Sequence, residues 1–171
     1  MRGVRWRILL GAALLGSLAL TAGVVFFQPQ KLFINQRVDE AIPAATPPRA
    51  GLASPVARPE TVLSRSSLQS LEHQSSGTVV LIALAGGGRI LRLENLATSN
   101  GPDLRVYLST TPAGADWHGY DRDYVDLGAL KGNLGNQNYT LPDSVDLARY
   151  RSAVIWCRQF GVGFAVAPLS G

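Results

Sequence analysis

Apolar residues fall into two kinds of run along this chain. The first, from Ile8 to Phe27 (ILLGAALLGSLALTAGVVFF), is continuous, with no charged residue in 20 positions. As a helix rising ~1.5 Å per residue it extends about 30 Å, enough to cross the hydrocarbon core of a bilayer. The second kind is short and recurs through the rest of the chain, between clusters of Gly, Asn, Asp and Pro. Residues 78–84 (TVVLIAL) form a near-continuous apolar run rich in β-branched residues, and the triple glycine 86–88 turns the chain into 89–94 (RILRLE), as in a hairpin. Residues 104–109 (LRVYLS) alternate, 124–127 do so more weakly, and 137–141, 152–157 and 162–167 complete the series. About seven strands at this spacing predict an all-β domain, an antiparallel β-sandwich or barrel-like fold, preceded by one N-terminal transmembrane helix.

Two segments between these runs carry weaker patterns. Residues 64–71 are expected to add a turn of helix before the first strand. From 28 to 60 the chain holds six of its ten prolines and reads as a linker. Such a coil would span about 30 Å end to end. Within it, 32–42 places Ile34, Val38 and Ile42 at helical spacing, so a short helix or an irregular stalk is expected there. The organisation is therefore a stub and anchor over 1–27, a Pro-rich linker over 28–60 and a β domain over 61–171.

Charge sharpens this picture. Residues 1–60 carry seven basic and three acidic side chains, whereas 61–171 carry nine of each. The folded part has no excess charge to attract a polyanion, and nucleic acid is not an expected partner. Arg2, Arg5 and Arg7 precede the apolar run and only Lys31 and Arg37 follow closely. The basic-residue rule then puts the N-terminus in the cytoplasm and the domain outside, in a single-pass membrane protein. A cleaved signal peptide and a secreted product is the competing reading, but cleavable apolar cores run only ~7–15 residues. The membrane is thus an expected partner through Ile8 to Phe27, beside an unidentified redox or protein partner.

The common catalytic signatures are missing: there is no G-x-S-x-G elbow, H-E-x-x-H, Walker loop or paired Cys-x-x-Cys. Whether the chain is an enzyme stays open. His73, His118 and the single cysteine, Cys157, match the ligand inventory of a blue-copper centre. Such a site usually draws a further histidine and an axial ligand from just beyond the cysteine, and residues 158–171 contain neither His nor Met. The ligand spacing supports neither copper nor haem, and the cofactor is left open.

Three phrases carry a more specific signal: NGPDLRVYLS at 100–109, LGALKGNLGNQNYTLP at 127–142 and SAVIWCRQF at 152–160. With HQSSG at 73–77 ahead of them, they closely resemble the DM13 family, the electron-transfer domain found beside DOMON domains. Leu96 and Leu71 stand where that family often has an aromatic residue. The resemblance implies a β-sandwich-like extracytoplasmic module whose characteristic cysteine, here Cys157, takes part in redox or electron transfer.

On a strand, Ala153, Ile155 and Cys157 share one face and Val154, Trp156 and Arg158 the other. No local group activates the thiol, and Arg151 lies six residues away, about 20 Å along a strand. An activator would have to come from elsewhere in the fold, with His73, His118, Lys131 and Arg105 as candidates. Two readings stay open: Cys157 as a redox group, or a non-catalytic binding or scaffolding domain in which Cys157 is a buried core residue. Asp103, at the end of the Asn100–Asp103 turn, is either a cap for free backbone amides or a neighbour of Cys157. Lys131, Gly132, Gly135 and Tyr139 are expected to build a loop, and Asp116, Asp121, Asp123 and Asp126 a solvated acidic loop.

Overall fold

The computed structural model describes residues 34–43 and 60–169, together with helical positions 6, 10, 11, 13–18 and 21 near the N-terminus. The expected anchor from Ile8 to Phe27 and the expected linker over 28–60 lie largely outside the described residues. Among the described residues no helix is long and apolar enough to cross a membrane.

Ten strands among the described residues form two five-stranded sheets. The first sheet contains β1 (Arg37–Asp39), β2 (Thr61–Ser67), β4 (Ser75–Ala83), β5 (Arg89–Thr98) and β8 (Leu134–Leu141), in the order β1-β8-β5-β4-β2. The second contains β3 (Gln69–Ser70), β6 (Leu104–Ser109), β7 (Tyr124–Ala129), β9 (Ser152–Cys157) and β10 (Val162–Pro168), in the order β3-β10-β9-β6-β7. Every pairing is antiparallel except that of β1 with β8. All seven expected strands are present and the fold is sandwich-like.

Period-two alternation explains which side chains meet between the sheets. Val79 and Leu81, Leu91 and Leu93, and Tyr139 and Leu141 come from the first sheet; Val106 and Leu108, Ala153, Ile155 and Cys157, and Ala165 and Ala167 come from the second. A fully buried leucine such as Leu91 contributes about 1.5–3 kcal/mol of transfer free energy. The two most continuous apolar runs are continuous because both their faces are covered. On the far side of β4, Val80 and Ile82 pack with Ile90 under Ile42 and Leu84. On the far side of β9, Val154 and Trp156 pack with Tyr107, Tyr120 and Val166 under Trp117.

The structure corrects three expectations. There are ten strands rather than about seven. Residues 64–71 are extended, in β2 and β3, instead of helical. Their polar residues do not mark a solvated helix: the Ser64 side chain is turned inward and Arg65 reaches across to Glu94 at 2.8 Å. The segment 34–43 is neither helix nor stalk but carries β1, held along the edge of the first sheet.

That docking depends on glycine in β8 and in the loop before it. A Cβ at Gly132 would meet the carbonyl oxygen of Gln36, and one at Gly135, whose φ is 98°, would meet that of Val38. Only a residue without Cβ allows β1 so close. Glu40 then fastens the strand's end: Lys131 Nζ donates to its carboxylate at 2.7 and 2.9 Å, and the Asn138 amide at 2.7 Å. The buried Arg92 guanidinium donates to the Glu40 carbonyl at 2.9 Å.

Candidate functional site

The end of the sandwich where β1 enters is built from three turns, and each of the phrases noted in the sequence supplies one. Residues 99–103 join β5 to β6, 130–133 join β7 to β8, and 158–161 join β9 to β10. Their ends are aligned by register, since Leu104 pairs with Cys157, Cys157 with Val162, and Ala97 with Leu134.

Cys157 is the last residue of β9, the middle strand of its sheet, and is 0% exposed. Its face is the one shared with Ala153 and Ile155, between the sheets, as the alternation predicted. Among the described residues no side chain forms a hydrogen bond or ion pair with the thiol. The candidate activators are engaged elsewhere. The His73 ring stacks on Phe164 with centroids 3.8 Å apart. His118 bonds Asp116 at 2.8 Å and stacks on Trp117. Arg105 pairs with Asp126 at 2.7 Å, and Lys131 is held by Glu40. Among the described residues no three His, Cys, Asp or Glu side chains gather as a metal site.

Asp103 does stand beside this position. Its carboxylate accepts from Arg158 Nε at 2.8 Å, and its carbonyl oxygen accepts from the Arg158 amide at 3.0 Å. The two turns are thus clasped at the residue that follows Cys157. Next to the clasp lies a cleft of about 160 Å³, lined by Ile34, Asn100, Asp103, Leu104 and Asn133 among others. Asn35 bridges two of its lining residues, accepting from Asn133 Nδ2 at 2.9 Å and from Asn100 Nδ2 at 3.1 Å.

The loop before β8 is ordered by a buried amide that sequence reasoning missed. Gln137 Nε2 donates to the Gly132 carbonyl at 2.6 Å, while its Oε1 accepts from the Lys131 amide at 3.0 Å and from the Tyr139 hydroxyl at 2.9 Å. Burial pushes the Tyr139 phenol well above its ordinary value, outweighing the opposing hydrogen bond from the Lys131 backbone, so it stays a donor. The available signal was that Gln137, Tyr139 and Leu141 share one strand face, which puts an amide among inward positions. The acidic residues of the 116–126 stretch are distributed rather than pooled: Asp116 caps a single 3-10 turn, Trp117–Gly119, and Asp123 reaches Arg149 at 3.3 Å.

Comparison with known proteins adds one positive finding. The family model described as Electron transfer DM13 matches residues 67–169. No curated protein and no solved structure matches the chain.

Proposed function

The chain belongs to the DM13 family, and from that premise we propose that it is a membrane-anchored, extracytoplasmic electron-transfer module in which Cys157 is the redox group. The family's description supports a general redox role. The anchor is supported by the uncharged run from Ile8 to Phe27 and its preceding arginines.

The observation that carries the reading is the position of Cys157 at the end of β9, one peptide bond from the Asp103–Arg158 clasp and at the end of the sandwich where turns from all three phrases meet. Beside Cys157 the two turns are held to each other by one partly exposed ion pair and one backbone hydrogen bond. Strand ends open locally at less than the global cost, and an exposed pair adds only about 0.2–1 kcal/mol against such opening. As a bare thiol, Cys157 gives one electron and its proton to a one-electron acceptor and regains both from a donor. The rival reading, a binding or scaffolding domain with Cys157 in its core, is favoured by the thiol's complete burial and lack of a polar partner.

Purified full-length chain distinguishes the two. Metal analysis and an absorption spectrum are followed by timed reaction of the thiol with a disulfide reagent, in buffer and in denaturant. Slow but complete reaction under native conditions supports the redox reading. A colourless, metal-free protein whose thiol reacts only after unfolding contradicts it. Alkaline extraction of membranes tests the anchor separately.

A further inference from the structure

The outer face of the second sheet carries a line of oxidisable rings that the packing of Cys157 does not use. Tyr124 stacks on Tyr107 with centroids 4.2 Å apart, Tyr107 lies 6.5 Å from Trp156, Trp156 lies 6.1 Å from Trp117, and Trp117 stacks on His118 at 3.8 Å. The interior members, Tyr107 and Trp156, are buried, whereas Tyr124 at one end is 39% exposed and the His118 side chain at the other is 63% exposed. Indole and phenol, with the thiolate, are the side chains from which one electron is most easily withdrawn. Trp156 is also peptide-bonded to Cys157.

We propose that Tyr124, Tyr107, Trp156 and Trp117 form a single-electron relay across this sheet, taking electrons from a phenolic donor at Tyr124 and delivering them to a one-electron acceptor of the metal-complex class at the Trp117–His118 end. This rests on the electron-transfer reading of the domain and gives it a surface-to-surface route. The step sequence balances. The acceptor gains one electron from Trp117, leaving an indole radical cation. Trp156 refills Trp117, and the Tyr107–Tyr124 stack refills Trp156. Tyr124 loses one electron and releases its phenolic proton to water, leaving a neutral tyrosyl radical. Hydrogen-atom transfer from the phenolic donor restores it. Tyr107 is buried and Tyr124 is 39% exposed, so water can take the proton at Tyr124 and the radical settles there; burial, with Tyr124 and Asp126 nearby, also raises the Tyr107 phenol far above its ordinary value.

The chain contains two histidines, which makes a site-directed test available. In full-length His73→Gln protein, a ruthenium bipyridyl complex is coordinated to His118, whose Nδ1 is bonded to Asp116 and whose Nε2 is left for the metal. Flash oxidation of the ruthenium is followed by transient absorption and electron paramagnetic resonance. A tyrosyl radical is expected. In Tyr124→Phe it should be lost and replaced by a tryptophanyl signal, and in Trp156→Phe it should be lost as well. Tyr150→Phe, which alters a tyrosine of the inter-sheet core, should retain it. If no tyrosyl radical forms, or if it persists undiminished in Tyr124→Phe, the relay is overturned. Cys157→Ala in the same assay separates the two claims, because a relay that survives there stands without the thiol, and thiol redox activity without a tyrosyl radical stands without the relay.

Discussion

Asp103 and Arg158 are joined twice, side chain to side chain at 2.8 Å and carbonyl to amide at 3.0 Å, and the double link ties the turn before β6 to the residue that follows Cys157. Half of that link is a charge pair open to solvent on the arginine side. Replacing Asp103 with Asn should therefore lower stability by only about 0.2–1 kcal/mol. Access to Cys157 should change more, because the link joins the turns next to it. The rate of native-state labelling of the thiol is expected to rise several-fold, as followed by mass spectrometry.

Substitutions at Cys157 test how dry its surroundings are. Serine is nearly isosteric but brings a hydroxyl with no partner, which should cost about 1–3 kcal/mol. Alanine removes the sulfur without adding a polar group and should be the milder change. Urea titration of the two variants gives the order, and a more stable Cys157→Ser than Cys157→Ala would mean that the site is wetter than the packing implies.

Gly135→Ala should release β1 without dissolving the sandwich. The alanine Cβ would collide with the Val38 carbonyl at a backbone φ of 98°, a conformation that resists any side chain. Amide exchange over residues 35–41 is expected to rise to the level of an open strand, with β9 still protected. If the anchor spans the membrane, this also changes the domain's reach. With β1 docked, only residues 28–33 separate the anchor from the body, at most about 20 Å when extended; release adds the rest of the linker.

Acid should undo the same contact. Burial pushes the Glu40 carboxyl upward, but hydrogen bonds from Lys131 and the Asn138 amide and the charges of Lys131 and Arg92 outweigh it, leaving its pKa below the ordinary 4.5. A lowered carboxylate pKa contributes stability that is present above the unfolded value and is lost as pH falls through the folded one. β1 should therefore stay docked at neutral pH and loosen as pH drops below about 4.5. Exchange protection of β1 against pH measures this, and Glu40→Gln should flatten the dependence.

The contrast between β9 and β1 shows what the amino-acid pattern reveals. SAVIWC reads as a buried strand because its own side chains fill both faces, and the same holds for β4. Arg37, Val38 and Asp39 carry no such pattern. Their strand exists because Gly132 and Gly135, almost a hundred residues later, leave room for a backbone, and because Lys131 meets Glu40. Pairing information of that kind is not local. At the site, Cys157 and Asp103 were visible through the family phrases, and their adjacency follows from the Leu104–Cys157 register. The partnership of Asp103 with Arg158 was hidden, because counting strand faces put Arg158 opposite the thiol and said nothing about the turn it enters. The aromatic line was hidden for a similar reason: Tyr107, Trp117, Tyr124 and Trp156 come from four separate segments.

The most direct test of the central claim is a spectroelectrochemical titration of the full-length chain against soluble one-electron mediators, run beside Cys157→Ala. A reversible couple in the native protein that disappears in Cys157→Ala, with the fold of both verified by circular dichroism, is the expected result. A native protein that exchanges no electrons, or a couple unchanged by removal of the thiol, would contradict the assignment of Cys157 as the redox group.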